Sequence, residues 1–142
     1  MTSLFFDTNA LIYWINPNAG THEEVDRLVG RAVERGAMLF TGACQLNEVY
    51  YVVARRYLPE PQTRELLEDI ADVFSLVSLD EQTVRHALTS DEPDYEDGLV
   101  CAMAERVAAD ALVSYDLKAF NRSHVPKLDA AQALALPALA GR

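Results

Sequence analysis

Leu4-Phe5-Phe6-Asp7-Thr8-Asn9-Ala10-Leu11 decides the fold. The apolar run Leu4 to Phe6 reads as a short strand and Asp7-Thr8-Asn9 ends it. Ala10 to Ile15 then reads as a short helix stopped by Asn16-Pro17-Asn18. The same alternation continues outward. Val25, Leu28, Val29, Ala32 and Val33 recur at spacings of three and four, which predicts a helix from Glu23 to Arg35 ending at Gly36. Met38 to Thr41 reads as a strand. Cys44 to Tyr57 reads as a helix with Leu46, Val49, Tyr50 and Val53 on one face, closed by Pro59 and Pro61.

Beyond the prolines, Gln62 to Phe74 is an amphipathic helix and Leu76 to Leu79 a buried strand, and Asp80 caps a helix running toward Ser90. An acidic loop, Asp91-Glu92-Pro93, leads to a helix from Asp94 to Ala109, and Ala111 to Tyr115 is strand-like. A short fifth strand is expected at Val125 and a helix from Leu128 to Leu136. Strands alternating with helices imply parallel pairing, hence an α/β three-layer sandwich around a central parallel sheet of four to five strands. Ligands in such sheets bind beyond the carboxyl ends of the strands.

The chain has 142 residues, half of them hydrophobic. That length suits a single domain spanning 1–142, able to bury roughly 70% of the surface of its unfolded form without a disulfide or metal staple. Apolar stretches such as Leu99 to Ala104 fall well short of the roughly 20 residues of a membrane span. Met1-Thr2-Ser3 enters the first strand without a basic leader. Cys44 and Cys101 lie in apolar neighbourhoods without ligand partners, as expected of buried thiols in a reducing compartment. A cytoplasmic protein is expected.

The net charge of −10 is unevenly placed. Residues 58–97 contain 12 acids against Arg64 and Arg85, so this segment carries the whole excess. Acidity argues against nonspecific phosphate binding. The neutral remainder nevertheless contains Arg55-Arg56 and the run Lys118, Arg122, His124, Lys127.

The main chemical signal is a set of acids at strand ends. Asp7 follows the first strand, Glu48 lies just past the second, and Asp116 follows the strand ending at Tyr115; parallel topology puts all three at one edge. Asp94 and Asp97, three apart at a helix start, can face the same side. Five carboxylates in one pocket repel one another, and hard divalent cations with oxygen ligands compensate them, which implies Mg²⁺ or Mn²⁺. Each acid also has a plain structural role open to it. Asp7 and Asp94 can cap helices, Glu48 can be a surface glutamate and Asp116 a turn residue. Joint placement is what favours chemistry. His22, His86 and His124 are scattered and read as solvated or capping. Tyr50, Tyr51 and Tyr57 read as core or dimer surface rather than base-stacking platforms. Gly42 and Gly98 form no phosphate loop.

Four pieces in order, Phe6-Asp7-Thr8-Asn9-Ala10-Leu11, Leu46-Asn47-Glu48-Val49, Asp94-Tyr95-Glu96-Asp97-Gly98-Leu99 and Ser114-Tyr115-Asp116-Leu117-Lys118-Ala119-Phe120, resemble a PIN domain. They are most similar to the small bacterial toxins of VapBC-type toxin–antitoxin pairs. The resemblance runs from Leu4 to about Ala135. It implies a catalytic acidic site of Asp7, Glu48, Asp97 and Asp116, with Asp94 as an additional metal-side acid and Asn9 and Ser114 as polar supports. It also implies Mg²⁺- or Mn²⁺-dependent hydrolysis of RNA and a cognate antitoxin. A homodimer is expected as well. Arg55, Arg56, Lys118 and Arg122 are the candidates for phosphate contacts, with solvated surface charge as the competing reading. Gly98 departs from the pattern, where a larger residue is usual, and is expected to loosen the first turn of its helix.

Two other readings stay open. A catalytically silent binding module of the same fold would have its acids compensated by a partner's Arg or Lys. Phosphoryl transfer to an aspartate is disfavoured, because Asn9 stands where a phosphatase of that kind would carry a second Asp.

Overall fold

The structure is a computed structural model describing residues 2–141. Its elements are β1 (Ser3–Phe6), α1 (Thr8–Ile15), α2 (His22–Glu34), β2 (Met38–Gly42), α3 (Ala43–Arg56), α4 (Glu60–Val73), β3 (Ser75–Val77), α5 (Glu81–Leu88), α6 (Tyr95–Arg106), β4 (Ala111–Val113), β5 (Lys127–Leu128) and α7 (Ala130–Leu134). The strands form one sheet in the order β3-β2-β1-β4-β5, every neighbouring pair parallel. The expected α/β architecture with its parallel central sheet is therefore present.

β1 is buried along its whole length because it sits mid-sheet with helices on both sides. Successive side chains point to opposite faces. Leu4 and Phe6 join Ala111, Val113, Leu28, Val49 and Ile70 in one core, whereas Phe5 and Leu112 join Leu99, Met103 and Ala104 in the other. Burying a side chain of this size is worth about 2–3 kcal/mol relative to exposure, so β1 is an anchor for both layers. α6 runs through the second layer with Gly98 to Ala104 buried without a break.

Register then places the site. Phe6 is level with Val113, and the Asp7 N–H donates to the Val113 carbonyl at 3.0 Å, so Asp7 and Ser114 emerge side by side. The chain moves outward from β1 to β2 and β3, then resumes on the other flank with β4 and β5. A reversal of this kind, here between β1 and β4, is where open parallel sheets place a crevice beyond the carboxyl ends of their strands.

Several boundaries differ from expectation for identifiable reasons. Pro61 does not close α3; it lies in the first turn of α4, where its missing N–H costs nothing. β3 is Ser75–Val77 rather than a buried strand from Leu76 to Leu79, its edge position leaving Leu76 exposed, and β4 ends at Val113 rather than Tyr115. α6 stops at Arg106 rather than Ala109, because Ala108 adopts φ 51° and the Ala109 and Ala108 N–H groups fold back onto the Ala104 and Glu105 carbonyls. The fifth strand is Lys127–Leu128; Val125 lies in the preceding loop, and Leu128 is strand instead of helix. Gly98 does not loosen its helix. A Cβ there would stand 3.0 Å from Ser90 Oγ and 3.3 Å from the Ala87 carbonyl, so glycine allows α6 to lie close against the end of α5.

Tyr51 and Tyr57 are 58% and 62% exposed and are not core; Tyr51 carries the Arg55 guanidinium over its ring. Cys101 is buried and Cys44 half-buried, both free thiols. Among the described residues no helix is long and apolar enough to cross a membrane.

Candidate active site

Asp7 sits at the junction of β1 and α1 in extended conformation, as the N-cap of α1. Its Oδ1 accepts the Thr8 N–H at 2.7 Å, while Oδ2 accepts Ser114 Oγ–H at 3.0 Å and Asn9 Nδ2–H at 3.3 Å. Capping and site roles thus coexist. The residue is only 9% exposed. Burial pushes its carboxyl up to about 6; the Thr8 and Ser114 bonds pull it down, and the charges of Glu48 and Asp116 push it further up.

Ser114 joins two acids. Besides donating to Asp7, its Oγ accepts the Asp116 N–H at 3.1 Å, and Asn9 Oδ1 accepts the neighbouring Tyr115 N–H at 3.1 Å. Asp116 closes its own turn by accepting the Lys118 and Ala119 N–H groups on Oδ1, leaving the side chain exposed at the edge of the crevice. Glu48, in the second turn of α3, accepts Thr8 Oγ–H at 2.6 Å. That charge-assisted bond fixes the carboxylate beside the start of α1.

Asp97 lies in the first turn of α6. Its carboxyl is also pushed up to about 6, by burial first and then by Asp94, Asp7, Asp116 and Glu92. Asp94 itself is the N-cap of α6, its Oδ1 accepting the Asp97 N–H at 3.1 Å, and is otherwise exposed. Asp7, Glu48, Asp97 and Asp116 therefore share one electrostatic neighbourhood at the carboxyl ends of β1, β2 and β4. They do not form a closed cage: among the described residues no three His, Cys, Asp or Glu side chains are drawn into a compact ligand group. The donor set is nevertheless all oxygen and mutually repulsive, and two of its carboxyls are held against their ionised form. Those are the properties a hard divalent cation relieves.

The basic candidates are dispersed. Lys118 is exposed beside Asp116. Arg122 donates to the Asp91 carbonyl at 2.8 Å. Arg55 is engaged with Tyr51, and Arg55 and Arg56 end α3, about 12 Å of helix beyond Glu48. The histidines stay apart from the acids of the crevice: His22 contacts the Tyr13 carbonyl and His86 pairs with Glu105. Sequence reasoning missed the role of Thr8 and read Lys127 only as part of a basic run. Thr8 was legible as the middle residue of Asp7-Thr8-Asn9. Lys127, whose Nζ donates to the Asp116 and Ala119 carbonyls at 2.7 and 2.8 Å, gives no signal without the path of its loop.

The sequence matches the family model of the PIN domain over residues 3–118, and the chain belongs to that family. Solved structures with the same fold include VapBC2 from Rickettsia felis bound to a DNA fragment from their promoter. It is 15% identical, with 90% of this chain and 98% of that chain covered at a TM-score of 0.65. VapC20 from Mycobacterium tuberculosis, a Sarcin-Ricin loop cleaving toxin, is 16% identical over 80% of this chain and 90% of that one, at 0.65. VapBC-1 from nontypeable Haemophilus influenzae is 15% identical over 92% and 99%, at 0.66. Comparison with curated proteins gives no match.

Proposed function

We propose that this chain is a divalent-cation-dependent endoribonuclease, the toxin of a toxin–antitoxin pair, acting as one domain of 142 residues. The observation that carries the reading is the buried Asp7, its carboxyl raised to about 6 by burial first and then by the charges of Glu48 and Asp116. A carboxylate kept in so unfavourable a place, in a fold shared with a Sarcin-Ricin loop cleaving toxin, fits a cation-holding role. Asp7, Asp97 and Asp116 are the residues suited to hold Mg²⁺ or Mn²⁺, with Glu48 holding an ion or its water and Asp94 behind Asp97.

Bound there, such a cation supplies a more acidic water and charge stabilisation for the scissile phosphate. The protein's own part is orientation. Thr8 and Ser114 fix the two Asp7 oxygens, Asn9 ties that pair to the Tyr115 backbone, and Ser114 holds the Asp116 N–H in place. Asn9, standing where a phosphatase acting through an aspartate nucleophile would carry a second Asp, donates its amide N–H to Asp7, so phosphoryl transfer to Asp7 is set aside.

A cognate antitoxin belongs to the same proposal, in line with the VapBC structures that share the fold, and a homodimer is proposed beside it. The test is cleavage of RNA by purified protein with Mg²⁺, with Mn²⁺ and with EDTA, beside Asp7→Asn and Asp97→Asn. Cutting that needs the metal and falls by at least about a hundredfold in both variants is expected. Equal behaviour of wild type and variants would reject the reading in favour of a silent binding module.

A further inference from the structure

Residues 114–126, between β4 and β5, contain neither helix nor strand, and this loop carries Asp116. A stretch of that length inside a compact domain needs specific ties to hold one shape. Two ties are local: the turn closed on Asp116 Oδ1, and the Lys127 ammonium bridging the Asp116 and Ala119 carbonyls. They shape the loop without relating it to α6, where Asp97 sits.

The link to α6 comes from the segment that leads into it. Glu92 Oε1 accepts the Phe120 N–H at 2.9 Å, and Glu92 Oε2 faces the Cys101 thiol at 4.0 Å, one turn beyond Asp97. Arg122 reaches back to the Asp91 carbonyl alongside. Phe120 is the strained point. It holds φ 67°, a left-handed conformation that bulky L residues rarely adopt, while its ring is 2% exposed in the core under the sheet. Glycine would relax the backbone there but leave the core without its ring, so the conformation has to be held from outside.

We propose that Glu92 is a positioning residue: by accepting the Phe120 N–H across the cleft between the two loops, it sets the place of Asp116 relative to Asp97. The cleft, about 170 Å³, is lined by Ser90, Gly98, Cys101 and Ser123 beside Glu92 and Arg122. Of the two Glu92 oxygens, Oε1 is held by the Phe120 N–H and Oε2 stands beside the Cys101 thiol. The Glu92 charge is one of those that push the Asp97 carboxyl up, and the role proposed for the residue lies in the hydrogen bond to Phe120. Glutamine, which keeps an acceptor for Phe120, should therefore substitute for it, and alanine should not. The role rests on the ribonuclease reading, but the strut itself does not.

The test uses Glu92→Ala and Glu92→Gln with two readouts. Amide hydrogen exchange of residues 116–123 is followed in EDTA, and RNA cleavage kinetics are followed with Mn²⁺. In Glu92→Ala, exchange at Phe120 is expected to quicken by about tenfold or more. Its kcat is expected to fall ten- to a hundredfold with KM within about threefold, since displaced catalytic groups cost rate rather than binding. Glu92→Gln is expected to stay within about twofold of wild type in both. Unchanged Phe120 exchange in Glu92→Ala, a loss expressed in KM instead of kcat, or a Glu92→Gln as defective as Glu92→Ala would each overturn the proposal. A wild type that cuts no RNA refutes the ribonuclease reading and the catalytic role with it; quickened exchange in Glu92→Ala would still uphold the strut.

Discussion

Asp7 shows the site's conflict with stability in a single residue. An aspartate whose carboxyl is raised from 3.8 to about 6 in the fold binds its proton more tightly there than in the unfolded chain. Stability therefore falls as pH rises between those values, and above about 6 the full penalty of the buried charge is present, on the order of 3 kcal/mol. Asn at this position is neutral at every pH and remains a good N-cap. Its amide NH₂, however, meets the Ser114 and Asn9 donors that the carboxylate accepts, which returns part of the gain. Asp7→Asn is accordingly expected to raise the melting temperature by about 3–6 °C at pH 7.5 in EDTA and to lose that advantage by pH 4. Mg²⁺ should narrow the gap by stabilising wild type alone. Calorimetric melts at the two pH values decide it, and a variant less stable than wild type at pH 7.5 in EDTA would show that the buried charge is not the cost described. The same residue marks what a sequence can disclose. Asp7 was legible as an acid after a strand, and so were Glu48, Asp97 and Asp116. Glu92 and Lys127 were not, because their partners are the Phe120 N–H and the Asp116 and Ala119 carbonyls, which only the loop's path brings near.

Among the elements, α6 and α2 end in the same way with different residues. After α2, Gly36 takes φ 69° and the Ala37 N–H returns to the Ala32 carbonyl. After α6, Ala108 takes φ 51° and the Ala109 N–H returns to the Ala104 carbonyl. The glycine announces its turn, and the end of α2 was read to within a residue. The alanine does not, and the sequence pattern carries α6 three residues past its observed end at Arg106. Apolar periodicity behaved likewise: β1, α2, α3 and α4 have a strong strand or stripe signal and were legible. β5, with two residues and a half-buried pattern, has none, and was looked for at the buried Val125 instead. The alanine turn carries its own prediction. A left-handed alanine is strained by about 1–2 kcal/mol, and glycine's extra freedom in the unfolded chain offsets only part of that. Ala108→Gly should stabilise by about 0.5–1 kcal/mol in urea titration with unchanged m-value. Destabilisation would mean that the Ala108 methyl makes a contact worth more than the strain.

For the molecule as a whole, charge placement constrains how RNA can be bound. The segment 58–97, which carries the entire net charge of −10, spans α4, α5 and the approach to α6, so the crevice is bordered by acid on the α6 side. Much of the positive charge is already committed: Arg64 to Glu60, Arg85 to Glu81, Arg106 to Asp80, Arg31 to Glu34, and Lys127 to two backbone carbonyls. Such a distribution leaves few uncommitted cations for the counterion release that gives most nucleic-acid binders their affinity. If RNA is the substrate, the attraction has to come from cations held by the carboxylates themselves. Fluorescence anisotropy with a labelled RNA in Ca²⁺, an oxygen-seeking cation, tests this directly. In EDTA near physiological salt, binding should be no tighter than about 10⁻⁴ M, the weak end of the nonspecific range. Ca²⁺ should tighten it by at least about tenfold, and Asp7→Asn should remove the gain. The slope of log K against log salt should stay shallow, about −2 or less in magnitude, because few Lys or Arg contacts are formed. Tight, strongly salt-dependent binding in EDTA would mean that a basic surface does the work. Arg55, Arg56 and Lys118 would then be the phosphate contacts, and the acidic crevice would act on an RNA already held elsewhere on the protein.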